Sequence, residues 1–272
     1  MAEQRQVRLR VHDPVQIQVQ MMRGIKRLVL GAMREEIGRH LLPAIERWGT
    51  AHDQAGLRDD LGSIEIERII REMQFKLGSV VDSPELRAML AKVSEKTNTF
   101  NAAAQKSLLE QVVAAHRFSA VVPAINVFIE NPYLAAARDE FVTRNVALIR
   151  TLPQESFGQI GKIVTEGMES GLRPSQIAID LQERLGVAES RAQLIARDQV
   201  LKFNGELASV RQQSVGVTHF TWYTSLDRRV RPSHKAVHNK QFAWASPPVV
   251  DGSPSVPGQP IQCRCNALPF LG

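Results

Sequence analysis

The sequence has little of what builds a secreted, disulfide-stapled or membrane-spanning protein. Its 272 residues hold two cysteines, Cys263 and Cys265, and the one residue between them would leave a bridge strained. That excludes a disulfide framework and makes a reducing cytoplasm the expected site of folding. No apolar run approaches the ~18 residues of a membrane span. Residues 1–10 are polar and basic with no apolar stretch behind them, so no signal peptide is expected. Aromatic residues are only 6% of a chain that is 43% hydrophobic, which points to a core of Leu, Ile, Val and Ala carried on helices. A serine nucleophile elbow, a phosphate-binding glycine loop and a dinucleotide fingerprint are all missing, as are internal repeats and long low-complexity tracts.

Charge is present but unevenly spread. The net value is +6, with nine Lys and Arg against five Asp and Glu in residues 1–48, 16 against 19 in 49–196, and nine against four in 197–272. Basic ends are compatible with nucleic acid or an acidic partner, and equally with a solvated surface. Arg5, Arg8, Arg10, Arg23, Lys26 and Arg27 are the candidates for such contact at the N-terminal end.

Helical periodicity dominates the first three quarters of the chain. After a basic arm at 1–13, with a short period-two stretch at 7–11, a helical pattern runs from Pro14 to about Trp48. Met21, Ile25, Leu28 and Ala32 form its apolar stripe, and Pro43 predicts a kink or break near His40. Further helices are expected at 63–77, from Ser83 as N-cap with Pro84 at the first position, and at 102–116 beyond a polar step at Thr97, Asn98 and Thr99. An apolar patch at 121–132 reads as buried core or a docking surface. Four more helices are expected at 133–150, 153–169, 174–185 and 189–213, punctuated by Pro153, Gly171, Pro174 and Gly186. The last two should fold back as a hairpin, with Ile177, Leu181 and Leu185 against Ala192, Ile195 and Ala196. Strand signals come only at the end, at 218–224, 241–244 and 266–270, with a short helix at 232–237 and a loop at 246–260 rich in Pro, Gly and Ser. The fold class is therefore mainly α, a long helical N-terminal region followed by a small C-terminal α+β domain. The expected divisions are 1–13, 14–131, 132–214 and 215–272.

Unusual chemistry is concentrated between Trp222 and Cys265. The stretch holds both cysteines, two of the three tryptophans, and Arg228, Arg229 and Arg231 within four positions. His234 and His238, four apart on the expected helix, join Cys263 and Cys265 as candidate ligands for one zinc ion. Against that stands the one-residue cysteine spacing, tighter than zinc motifs use, and the other reading is a packed, hydrogen-bonded corner. Asp227, the arginines and His234 are ingredients of phosphodiester chemistry, and also of a salt-bridged turn. Trp222, Tyr223, Phe242 and Trp244 read as the core of a small domain rather than as a base-stacking platform.

The run Tyr223, Thr224, Ser225, Asp227, Arg229, Val230, Arg231, His234, with Trp222 before it, then Phe242 and Trp244, then Pro257, Gly258, Ile261, Cys263, Arg264, Cys265 resembles the C-terminal domain of the phage head morphogenesis family typified by protein F of phage Mu. Residues 195–204, with Asp198 and Gln199, resemble the helix leading into it. Several separate pieces in the right order make the likeness more specific than a short motif. It implies a minor head protein of the virion interior, assembled in the host cytoplasm. The implied partners are the portal protein, capsid or scaffold proteins and packaged DNA. No catalytic residue, small-molecule substrate, membrane contact or obligatory cofactor is implied. A metal-dependent nuclease using Asp227, His234, His238 and the cysteines, or a DNA-binding protein acting through its basic ends, is the alternative.

Overall fold

The computed structural model describes residues 13–55, 60–116 and 132–271. Helices α1 (Val15–Ile25), α2 (Gly31–Glu36), α3 (Leu42–Ala55), α4 (Asp60–Val81), α5 (Pro84–His116), α6 (Pro132–Glu169) and α7 (Pro174–Ser214) precede the described strands. Strand β1 (His219–Tyr223), helix α8 (Pro232–Ala236) and strands β2 (Gln241–Ala243), β3 (Val249–Val250), β4 (Ser253–Pro254) and β5 (Asn266–Phe270) follow. The fold is mainly α with a small α+β end. Its described residues divide into two compact units, one within 20–90 and 143–196, the other within 13–19, 91–142 and 197–271, with α1, α5, α6 and α7 each contributing to both. The basic residues Arg5, Arg8 and Arg10 and the apolar positions 121–131 lie outside the described residues.

In the first, all-helical unit, Met21, Ile25, Val29, Met33, Ile37, Leu41 and Ile45 are buried at a strict spacing of four. An α-helix turns about 40° too far for such a stripe at every step, or roughly 240° over six steps. Two π-helical turns, Lys26–Leu30 and Ile37–Leu41, join α1 to α2 and α2 to α3. Each takes up one extra residue, about 100° of rotation, so together they hold the stripe on one face. Leu28 and Ala32, expected on that stripe from ordinary helical spacing, are only half-buried. Pro43 does not break the helix. It removes the bond to the carbonyl four residues back, but the preceding turn is already π-paired, with the Leu42 N–H donating to Ile37 O.

Two further expected breaks are also helical. Pro153 lies inside α6, where its neighbours Leu152, Phe157 and Ile160 are buried and offset the ~3 kcal/mol a mid-helix proline costs. Gly186 lies inside α7, so the expected hairpin does not exist: Ile177, Leu181, Ala192 and Ile195 belong to one helix. The cap expected at Ser83 is present, its Oγ accepting from the Leu86 N–H at 3.2 Å.

The second unit is built on polar as well as apolar burial. Arg211 of α7 is 2% exposed. It donates to Asn101 Oδ1 at 2.6 Å and to Asn98 Oδ1 at 2.5 Å, both on α5. Burial lowers its pKa to about 10, which leaves it charged at neutral pH. Gln212 Nε2 donates to Gln105 Oε1 at 3.0 Å and to the Ala267 carbonyl at 2.8 Å, fixing β5 to the helices. Within the polar step in α5 that looks like a break in sequence, Asn98 is thus a partner for α7, followed by Asn101 and Gln105 further along the helix. The sheet runs β2-β1-β5, all antiparallel, with His219 opposite Ala243 on one side and Phe270 on the other. Phe220 and Trp222 of β1 point into a core shared with Val250, Cys263, Cys265 and Ala267, with Phe242 and Trp244 packed against it.

Candidate functional site

The site begins with a helix of five residues. Pro232, at its first position, suits an N-terminus where an N–H would have no intrahelical partner, and the turn carries His234 inward to 2% exposure. The helix stops at Ala236, and Asn239 takes a left-handed φ of 59°. His238 therefore falls past the helix end, and the four-residue spacing that would put it beside His234 does not apply. Its Nδ1 accepts instead from the Thr224 N–H at 3.1 Å.

The cysteines arrive from the other end of the domain. Gln262, at a left-handed φ of 53°, donates its N–H to Asp198 Oδ1 of α7 at 2.7 Å and sets the direction of the chain before Cys263. Residues two apart on an extended chain share a face, and both sulfurs reach one imidazole nitrogen. Cys265 Sγ lies 3.3 Å and Cys263 Sγ 3.5 Å from His234 Nδ1. These three ligand atoms lie within 4.8 Å of one another, and all three residues are buried.

Asp251 holds the imidazole from its far side. Its Oδ2 is 3.0 Å from His234 Nε2 and 3.0 Å from Arg231 Nε, while its Oδ1 accepts from Ser233 Oγ at 2.5 Å. Arg231 Nε also lies 3.2 Å from His234 Nε2; with the Arg231 and His234 N–H groups both donating to Asp251 Oδ2, Nδ1 is the nitrogen left facing the sulfurs. Asp251 is not singled out by the sequence reading, although a signal exists. With Gly252 it forms the turn of the β3–β4 hairpin at φ values of 54° and 86°, and Asp-Gly after an apolar pair is a hairpin signature.

Electrostatics follow from these contacts. The Cys263 thiol is brought down to about 5, first by the hydrogen bond from Cys265, with His234 and the Gly258 and Cys265 N–H groups adding to it and burial opposing. Cys265 is pushed up by that same bond and by burial. His234 is raised, chiefly by Cys263 and further by Asp251, against burial. Gly258 is placed to donate because its loop lies on α7 at Gly205, where an added Cβ would stand 2.8 Å from the Pro257 carbonyl.

Asp227, Arg229 and Arg264 form a second, outer layer. Arg264 Nη2 donates to both Asp227 oxygens, at 2.7 and 2.6 Å, and the Arg229 N–H donates to Oδ1 at 2.9 Å. Arg231 Nη1 donates to the Ile261 carbonyl at 3.1 Å. Between these groups a cleft of about 280 Å³ is lined by Arg197, Arg229, Arg231 and Arg264 and reaches His234, Cys263 and Cys265; among the described residues no carboxylate lines it. Trp222 and Trp244 are packed in the core, with Trp222 edge-on to His234 at a centroid distance of 5.7 Å. At the helical end Lys26 pairs with Glu189, whereas Arg23 and Arg27 are exposed.

Comparison with known proteins places this geometry. Residues 158–268 match the family described as "Phage Mu protein F like protein". They are a Mu F-like domain. An uncharacterized protein of Haemophilus influenzae is 29% identical over 148 residues, 54% of this chain and 32% of that protein. An uncharacterized protein of Methanocaldococcus jannaschii is 32% identical over 108 residues, 39% of this chain and 16% of that protein. The chain thus spans under a third of the length of these relatives. No solved structure matches it. The Mu F-like domain contains the whole His234, Cys263 and Cys265 corner, and the family points to phage head morphogenesis.

Proposed function

We propose that this protein is a phage minor head protein, a structural assembly factor without catalytic activity that joins the portal and lies inside the head beside packaged DNA. The observation that carries the reading is how the motif groups of the Mu F-like domain are engaged. Asp227 is held by Arg264 and a backbone N–H, Arg231 by Asp251 and a carbonyl, and His234 by Asp251 and two sulfurs. Such pairing fixes turns, and it makes the motif a device for rigidity rather than for turning over a substrate. Portal, capsid or scaffold contact falls to the helical region, where Ile64 and Phe75 of α4 are 58% and 82% exposed. DNA contact falls to the exposed Arg23 and Arg27. No described helix is long and apolar enough to cross a membrane.

The experiment is co-expression of the full chain with the portal and capsid proteins of the same phage, followed by purification of heads. Wild type is expected in the heads and in a portal pull-down, and Phe75→Asp is expected to reduce both at least tenfold while remaining folded. Failure of the folded wild-type chain to bind the portal or enter heads sinks the reading. Specific nucleic-acid cleavage by the purified chain would move it to a nuclease.

A further inference from the structure

We infer that His234, Cys263 and Cys265 form a site for one zinc-class divalent cation, with its fourth coordination position open to the arginine-lined cleft. His238 takes no part. This goes beyond the assembly reading and does not depend on it.

Three independent features of the corner support the site. The first is spacing. A tetrahedral ion with Zn–S of about 2.3 Å and Zn–N of about 2.0–2.1 Å separates each sulfur from the nitrogen by about 3.5 Å. The distances from His234 Nδ1 are 3.3 Å to Cys265 Sγ and 3.5 Å to Cys263 Sγ. The second is the carboxylate behind the imidazole. A histidine ligand ordinarily donates its other N–H to a carboxylate or carbonyl, which fixes the tautomer and directs the free nitrogen at the metal. Asp251 Oδ2, 3.0 Å from Nε2, stands in that place, and Ser233 and Arg231 hold Asp251 in turn.

The third is a donor aimed at sulfur. The Cys265 N–H points at Cys263 Sγ at 3.4 Å. An N–H directed at sulfur suits a thiolate, which accepts hydrogen bonds far better than a thiol. Two thiolates also cancel the charge of a divalent ion, so the site stays neutral beside the four arginines of the cleft. Two thiolates and one imidazole favour zinc over magnesium or calcium, which take oxygen ligands. Water or an anionic group admitted along the cleft completes the tetrahedron.

The test uses the full chain, stripped with a chelator under reductant and titrated with Co²⁺ as a spectroscopic stand-in for zinc. One equivalent is expected to bind, with strong visible absorption of a tetrahedral ion and a sulfur-to-cobalt charge-transfer band, both bleached by Zn²⁺. His234→Gln should abolish stoichiometric uptake, and His238→Gln should leave it at the wild-type level. Asp251→Asn keeps the left-handed turn, because Asn adopts it readily, and should weaken affinity about 10–100-fold. That variant and the wild-type stoichiometry decide the matter even where a cysteine variant fails to fold. A folded wild-type chain that binds no cobalt, that gives only the weak spectrum of an octahedral ion, or that needs His238 as much as His234, overturns the site.

Discussion

The two units solve burial in different ways. Among the described residues, the all-helical unit buries two polar side chains, Asn145 and Ser156, and relies on an apolar stripe. The unit with the sheet buries ten, from Ser94 to His234, including Asp198 and Arg211. In the first, charges meet at the surface, as in Arg68 with Glu72 and Arg47 with Glu65, where pairs contribute little. In the second, charged and amide groups are interior and each depends on a specific partner. A stripe tolerates many apolar sequences but demands a fixed helical phase; a polar seam tolerates shifts poorly and demands particular residues. The candidate site stands in the unit of the second kind, where geometry is held by directional bonds.

Phase is therefore the way to break the helical unit, and its effect should be the largest. Deleting Gly38, an exposed residue inside the second π turn, would return that turn to α geometry and rotate Leu41, Ile45 and Trp48 by about 100°. Loss of three such burials costs about 5 kcal/mol or more, comparable with the stability of a whole domain. A thermal melt followed by circular dichroism should show that unit unfolded. Gly38→Ala, whose added Cβ meets nothing within 4 Å, should instead leave stability equal or higher by up to ~1 kcal/mol.

Partner identity is the way to break the other unit. Arg211→Met keeps much of the volume but leaves the buried Asn101 oxygen and the half-buried Asn98 oxygen without this donor. The expected loss is about 2–3 kcal/mol in urea unfolding. Arg68→Met on the surface of α4 should change stability by no more than ~0.5 kcal/mol. Equal losses from the two substitutions would erase the distinction drawn between the units.

The same contrast explains what could be read from the chain. Periodicity is local, so the helices, the late strands and the short helix at Pro232 were legible within a few residues. Helical phase was not: nothing in the local pattern at Lys26 or Ile37 announces a π turn, and Leu28 and Ala32 therefore looked like core. Pro153 and Gly186 looked like boundaries because propensity is a weak force beside the packing of Leu152, Phe157 and Ile160 or of Ala188 and Ala192. Thr97, Asn98 and Thr99 looked like an interruption because the partner of Asn98, Arg211, is more than a hundred positions away. At the corner, residue types pointed to His234, Cys263 and Cys265 directly. His238 was attached to them by a helical spacing that the five-residue helix does not extend far enough to supply. Asp251 was readable from its Asp-Gly turn, but its role needed the hairpin placed against α8.

The smallest expected effect concerns the outer layer, and it is resolved by pH rather than by magnitude. The Asp227 carboxyl is held below the ordinary carboxylate range, first by the hydrogen bond from Arg264 and next by the Arg229 N–H. A carboxyl depressed on folding stabilises the fold above its unfolded value, near 3.9, and that contribution is lost as pH falls through the folded value. Asp227→Asn should therefore melt slightly below wild type at pH 7, and the gap should close as pH falls through the depressed folded value of the carboxyl. Because the pair is partly exposed, added salt should narrow the gap at pH 7 as well. A gap independent of both pH and salt would mean that Asp227 acts through the shape of its turn, by the bonds from Ser225 and the Arg229 N–H, and not through its charge.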